Sequence, residues 1–363
     1  MRKNRIESMD ALRAFACLGV LCYHMHLCVF GHLGVALFFV MSGFLSAYNY
    51  LDTMDTEHIT VKSCVKFSYN KITKLYPLYF AMMLIPLAGQ VYGAINGLIS
   101  WGKVFGKFAA DALLLQSWIP INEYYFSLNG PAWYLSSIGF SYLMLPLILR
   151  GIKKLHSNSA ALAAVFAIWA MQLFVGWAGE IIYVKLASPD SNMRRDFVCW
   201  FTYIFPVFRV ADFSIGGIIA YIFLNRRKKD YSKMRWTFAE AGAVALITVV
   251  HVCVKQGKLR FDTSAYVFAC AALVYTFAVN RGYISSFLTN KVVKYISNIS
   301  SEIFLTHAVV IFVCSPLIER LPLEFAAKRI VYVVSILVLT FVAANIGKRF
   351  NNAINRRRNL VKA

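Results

Sequence analysis

Apolar residues run through this chain in blocks of about 18–22, each long enough to cross a hydrocarbon core of about 30 Å as a helix. Ten blocks are predicted to span, at about 9–28, 33–51, 75–92, 132–150, 159–182, 200–224, 237–254, 263–280, 296–315 and 329–347. Polar residues are sparse within them and gather in the segments between. The pattern predicts an all-α fold, a polytopic membrane helix bundle of about ten transmembrane helices. No block of polar, globular composition remains, so residues 1–363 are expected to form a single integral-membrane domain. The first block starts near residue 9 with no clean small-residue cleavage site behind it, and reads as a retained helix. Two segments between blocks are long. Residues 52–74 form a Lys-bearing connection. Residues 93–131 hold "VFGKFAADALLLQSW", too short and interrupted to span and predicted to lie in or dip into the interface, followed by the aromatic stretch "IPINEYYFSLNGPAW".

Composition sharpens this picture. The chain is 59% hydrophobic, above the roughly 45–50% usual for soluble domains. Its net charge of +21 would suggest nucleic acid in a soluble protein. Here the cations sit in short loops between apolar blocks, which is a topology signal, and no nucleic-acid partner is expected. With the N-terminus inside, 25 of the 38 Lys and Arg fall in inner segments and 11 in outer ones. Both termini are therefore predicted to be cytoplasmic, with residues 1–8 and 348–363 as basic tails and 93–131 as the longest extracytoplasmic segment. "NRRKK" (225–229) and "NRRRN" (355–359) are the strongest inner markers. Eight cysteines lie mostly within apolar blocks, form no CxxC pair and show no zinc spacing, so neither a disulfide framework nor a metal site is expected.

Ionisable groups inside spans are costly and usually functional. At 100° per residue, Asp10, Arg13, Cys17, Leu21 and His24 share one stripe of the first helix, about 21 Å long. His24 lies about 40° from the Asp10 direction and His26 about 160° from it. His24 thus belongs to the polar face, either as a structural histidine bonded to a neighbouring helix or as a base near neutral pH. His26 and His32, near the outer interface, read as structural, with His32 expected to cap the second helix after a turn of about four residues. Lys71 and Lys74, at i and i+3 ahead of the third span, are either phosphate ligands or positive-inside anchors. Arg209 and Asp212, also i and i+3, can neutralise each other as an ion pair. Gly216 and Gly217 beside them permit close helix contact. Glu302 and His307 lie in the ninth span on different faces and are expected to meet different neighbours.

In order along the chain, "MDALRAFACLGVLCYH" (9–24), "GHLGVALFFVMSGFL" (31–45), "KITKLYPLY" (71–79), "NGPAWYLSSIGFSYLMLPLI" (129–148), "FPVFRVADFSIGG" (205–217) and "ISNISSEIFLTH" (296–307) resemble segments of one family. It is the acyltransferase 3 family of integral-membrane O-acyltransferases, which modify bacterial glycans. The resemblance implies transfer from an acyl-CoA at the cytoplasmic side to a hydroxyl of a saccharide. It sets His24 at the family's functional histidine and Lys71 and Lys74 at its donor-phosphate motif. Two departures stand out. Lysines replace the motif's arginines, keeping charge but losing the planar two-pronged donor. Ile138 stands where many members carry a glutamate. No separate hydrolase-like domain follows the ten spans, so the membrane unit is expected to complete the transfer or hand its acyl group to another protein.

The expected activity is O-acylation, acetyl foremost, of a cell-surface polysaccharide or its lipid-linked precursor, in a multi-pass protein of a bacterial plasma or inner membrane. Acetyl-CoA or another acyl-CoA is co-substrate, with no bound cofactor. Membrane lipid and a saccharide acceptor are the expected partners. His24 would take the acceptor's proton or briefly carry the acyl group, with Asp10 and Arg13 organising the inner end of its stripe. Arg209, Asp212, Glu302 and His307 would orient substrate or neighbouring helices, and Tyr125, Asn129 and Trp133 would contact a sugar. Two competing classes are a transporter that relays protons or solute through its buried ionisable groups and a structural partner of a glycan-assembly complex.

Overall fold

The computed structural model describes residues 4–186, 191–226, 232–258 and 262–360. Residues 227–229 of the "NRRKK" marker and the extreme ends of both tails lie outside them. The described residues form helices joined by turns and short irregular segments and contain no strand. The order is α1 Ser8–His24, α2 Gly31–Tyr50, α3 Val61–Ile72, α4 Tyr76–Ile95, α5 Trp101–Ala112, α6 Asn122–Tyr125, α7 Trp133–Lys153, α8 Asn158–Leu186, α9 Ser191–Cys199, α10 Pro206–Leu224, α11 Lys233–Lys255, α12 Asp262–Val279, α13 Tyr283–Leu288, α14 Lys291–Glu319 and α15 Phe325–Leu360.

Among the described residues, eight helices are long and apolar enough to cross a membrane. The other two predicted blocks correspond to α1, of 17 residues, and the apolar helix at Ser264–Val279. The crossing segments differ in how they are used. In α2 the apolar window is 67% buried within the protein, whereas in α8, α11 and α15 it is 22% buried. So α2 is central, packed along α1, α10 and α12, and the other three present apolar faces outward, as lipid requires.

The α2–α10 crossing depends on absent side chains. A Cβ on Gly43 would collide with the carbonyl oxygen of Phe213, and one on Gly216 with that of Val40. Without hydrophobic contrast between lipid and helix interior, such close backbone approach is a main source of packing energy.

Helix ends explain the departures from the predicted spans. The first span stops at His24. His26 takes a left-handed conformation with φ 56°, its N–H bonding to Tyr23 O and that of Leu27 to Cys22 O. This is the paired closure of a helix C-terminus, with His26 at its left-handed position. The block predicted at 200–224 is interrupted. Trp200–Ile204 is a π turn, Phe205 is non-helical, and Pro206, which has no N–H to satisfy, begins α10. Pro77 in the first turn of α4 makes the same kind of break after α3. The residues expected as a C-terminal tail continue α15 to Leu360. Its 36 residues exceed the bilayer, so the last turns project from it.

Arg5 Nη2 donates to Asn298 Oδ1 (3.4 Å) and Lys348 Nζ to Asn298 O (2.5 Å), so both terminal regions meet the same end of α14. Asn355 Nδ2 donates to Lys74 O (3.1 Å) and brings the α3–α4 break to that end too. This is the end predicted to be cytoplasmic, and "inner" below refers to it.

Candidate active site

The last residue of α1, His24, lines a cavity of about 490 Å³ on the outer side. The short α1–α2 turn brings His32 into the same cavity. His32 is the second residue of α2, not its cap, a position that Phe30 holds. Its ring lies 4.5 Å from that of Tyr203, which the π turn presents, and Tyr203 lies 4.7 Å from Trp133 at the start of α7. His26 points elsewhere. The carbonyls of Met25 and His26 accept from Arg329 Nη2 of α15, at 2.9 and 3.1 Å, which satisfies groups left open at the end of α1.

His307 of α14 completes the cluster. Its ring centroid is 5.1 Å from that of His24. His307 Nδ1 lies 3.0 Å from Ile303 O, where only an N–H can bond, so Nε2 is the free acceptor, buried without a protein partner. Nearby, Asn129 Nδ2 donates to Leu305 O (2.9 Å) and its Oδ1 is likewise buried and unpartnered.

The roof of this cavity includes Phe126, Leu128, Gly130 and Pro131 of the long outer segment. That segment is pinned from below. Ser127 donates to the Asp111 carboxylate, Tyr79 Oη to Asp111 O (2.8 Å), and Ser117 Oγ to Trp133 O (2.8 Å). α5 carries Asp111 and stays out of the crossing set, as its short, interrupted apolar pattern predicts. Burial pushes the Asp111 carboxyl up to about 7, against the opposing pull of its Ser127 and Tyr79 hydrogen bonds. Tyr125 is buried beside this roof, its Oη donating to Asp196 O (3.3 Å), and does not line the cavity.

A second cavity of about 240 Å³ lies on the inner side. Arg13 and Lys71 line it, with hydroxyls from Ser42, Ser300 and Ser301 and no carboxylate. Lys71 Nζ stands 4.8 Å from the centroid of the Tyr50 ring and 5.3 Å from that of Phe67, so its charge is held by aromatic faces. Ile138 lines this cavity too. A glutamate there would have offset one of the two cations. Lys74, three residues on from Lys71, is exposed in the α3–α4 break and lines neither cavity.

The remaining predicted residues lie outside both cavities. Asp10 accepts from Ser297 Oγ (3.0 Å) and Arg5 Nη2 (2.7 Å), tying α1 to α14. Arg209 and Asp212 form a fully buried ion pair, steadied by Gln172 Nε2 donating to Asp212 Oδ1 (2.8 Å) and by the Phe39 ring 4.5 Å from the guanidinium. Glu302 turns towards Lys348 and Asn351 of α15, and His307 towards α1. Three wall residues escaped the sequence reading: Phe38, Tyr134 and Phe304. Aromatic residues in apolar spans carry no polarity signal. The one available hint was the spacing Ser300, Phe304, His307, which follows one helix face.

Residues 6–346 match the acyltransferase domain family. Acyltransferase MdmB of Streptomyces mycarofaciens is 26% identical over 249 residues, covering 61% of this chain and 58% of the relative. O-acetyltransferase OatA of Staphylococcus aureus is 23% identical over 369 aligned residues, covering 95% of this chain and 56% of the relative. The chain thus spans little more than half the length of these curated relatives. No solved structure matches it.

Proposed function

The chain belongs to the acyltransferase 3 family, and from that premise we propose that it is a membrane O-acyltransferase. It moves an acyl group, acetyl foremost, from acyl-CoA at the inner face to a hydroxyl of a cell-surface polysaccharide or its lipid-linked precursor, across a bacterial plasma membrane. The observation that carries this reading is two cavities in series along α1. The inner one holds Arg13 and Lys71 with no carboxylate, and the outer one holds His24 and His32. Arg13 and His24 are eleven residues apart on one helix, about 17 Å.

The chemistry follows from that order. Arg13 and Lys71 take the donor's phosphate charge, and Lys74 adds cationic potential at the surface. The donor's thioester reaches the outer cavity. His24 accepts the proton of the acceptor hydroxyl as its oxygen attacks the thioester carbonyl. The carbon–sulfur bond breaks, the new ester forms, and the proton passes from the imidazole to the departing thiolate, which leaves as free CoA. His24 carrying the acyl group for one step is the covalent variant of the same path. Trp133 and Tyr203, which line the outer cavity, offer ring faces to a sugar, whereas Asn129 and His307 are buried and line neither cavity. The MdmB and OatA names support the reaction class. The aromatic lining of the outer cavity supports the saccharide.

Reconstitution in liposomes tests the reading. With acyl-CoA at the inner face and saccharide at the outer face, the expected result is acyl-CoA-dependent esterification detected by mass spectrometry. Solute flux without acylation would instead identify a transporter.

A further inference from the structure

The two cavities share a wall. Tyr134 of α7 and Phe304 of α14 line both. Phe38 of α2 lines the inner side and closes the group. The three ring centroids lie 5.3 Å apart for Tyr134–Phe304, 6.0 Å for Phe38–Tyr134 and 6.3 Å for Phe38–Phe304. Three different helices therefore each send one ring to the same level of the bundle. Their immediate neighbours behave differently. Phe39 and Ile303 are both 0% exposed, whereas Phe38, Tyr134 and Phe304 are only partly buried, because they face open space. Two of the three are phenylalanines, with no hydrogen bond to break when a ring turns aside. Arg13 and Lys71 lie on one side of this wall and His24 on the other.

We propose that Phe38, Tyr134 and Phe304 form an aromatic partition through which the donor's thioester arm passes to reach His24, and that Tyr134 and Phe304 set the length of acyl chain the protein transfers. The proposal rests on the acyl-transfer reading above and goes beyond it in naming what selects the donor. The phosphate-bearing head stays with the inner cations. The acyl group leads the arm between the rings. Beyond them the thioester meets the acceptor oxygen, the carbon–sulfur bond breaks as the ester forms, and CoA thiol withdraws with the acceptor's proton. Each added methylene must pass the ring level, where space is set by side chains from three helices, and then rest against the outer faces of Tyr134 and Phe304, which line the outer cavity. Without donor, the same rings separate the two cavities and keep water from running between the faces.

The test compares acetyl-CoA with butyryl-CoA in the full-length protein reconstituted in liposomes. Phe304→Ala should raise the butyryl-to-acetyl ratio of kcat/KM about ten-fold, the scale by which apolar pockets discriminate methylenes. Phe304→Trp should lower acetyl transfer about ten-fold by the same reasoning, with unchanged binding of adenosine 3′,5′-bisphosphate, a head group that carries no arm. If Phe304→Ala fails to fold, Phe304→Leu and Tyr134→Leu carry the same ratio measurement. An unchanged ratio in a folded variant overturns the partition, as does a uniform loss with both donors. A wild-type protein that transfers from neither acyl-CoA overturns the acyltransferase reading itself.

Discussion

Within one turn, the end of α1 uses two imidazoles in different ways. His24 opens into the outer cavity, while His26 occupies a left-handed position that glycine would fill with less strain. His24→Ala should therefore lower acyl transfer about a hundred-fold or more, the scale of lost acid–base catalysis. His26→Gly should leave the rate and membrane level near wild type. Matched expression followed by mass spectrometry of the esterified glycan checks both, and equal losses would undo the assignment. The two lysines ahead of α4 separate in the same way. Lys71 lines the inner cavity and Lys74 does not. Calorimetry with CoA should show about ten-fold weaker binding for Lys71→Ala, worth about 1.4 kcal/mol, and a smaller change for Lys74→Ala. Equal effects would mean that the donor's charge is held at the surface.

At some crossings the helices of this bundle meet backbone to backbone. The α2–α10 crossing places Gly43 against Phe213 O and Gly216 against Val40 O. Neither carbonyl can retreat, because each belongs to a helix held on several sides. Gly43→Ala and Gly216→Ala should each cost about 3 kcal/mol or more, the upper range for overpacking, and should abolish a cooperative melt in detergent. Gly102→Ala is the matched control. Nothing lies within 4 Å of its Cβ position, so its melting temperature should stay near wild type. A normal melt for the Gly43 variant would show that the crossing has slack. α1 also meets α2 closely, since a Cβ on Gly34 would lie 2.8 Å from Ala16 O. It is held further by Asp10 tied to α14 at one end and Arg329 of α15 on the open carbonyls at the other.

Stability of the whole molecule should depend on pH through the outer segment. Burial raises the Asp111 carboxyl from 3.8 to about 7. The unfolded chain gives up that proton at lower pH than the folded one, so the folded state holds more protons between these values. Stability from this group is then complete below 3.8 and is lost as pH rises towards about 7. The melting temperature of the wild type should fall across that window more than that of Asp111→Asn, which has no proton to lose. Parallel profiles for the two proteins would exclude Asp111 as the source. Because Ser127 hangs on the same carboxylate, the roof of the outer cavity is the part most exposed to this effect.

Where the helices run, and which residues share a face, is legible in the chain before any packing is known. The apolar blocks foretold the crossing segments, the 100° period separated His24 from His26, and it sent Glu302 and His307 to different neighbours. Those are properties of one helix, and local geometry suffices for them. It did not determine which faces meet. In a soluble protein the apolar face of a helix names its own interior, but a membrane span is apolar all round, and the lipid-facing and protein-facing sides look alike. Only the packed bundle therefore decides that Lys71 turns inward while Lys74 does not, and that Arg209 and Asp212 close on each other out of reach of both cavities. The same packing decides that rings 38, 134 and 304, from three separate helices, stand together between the inner cations and His24.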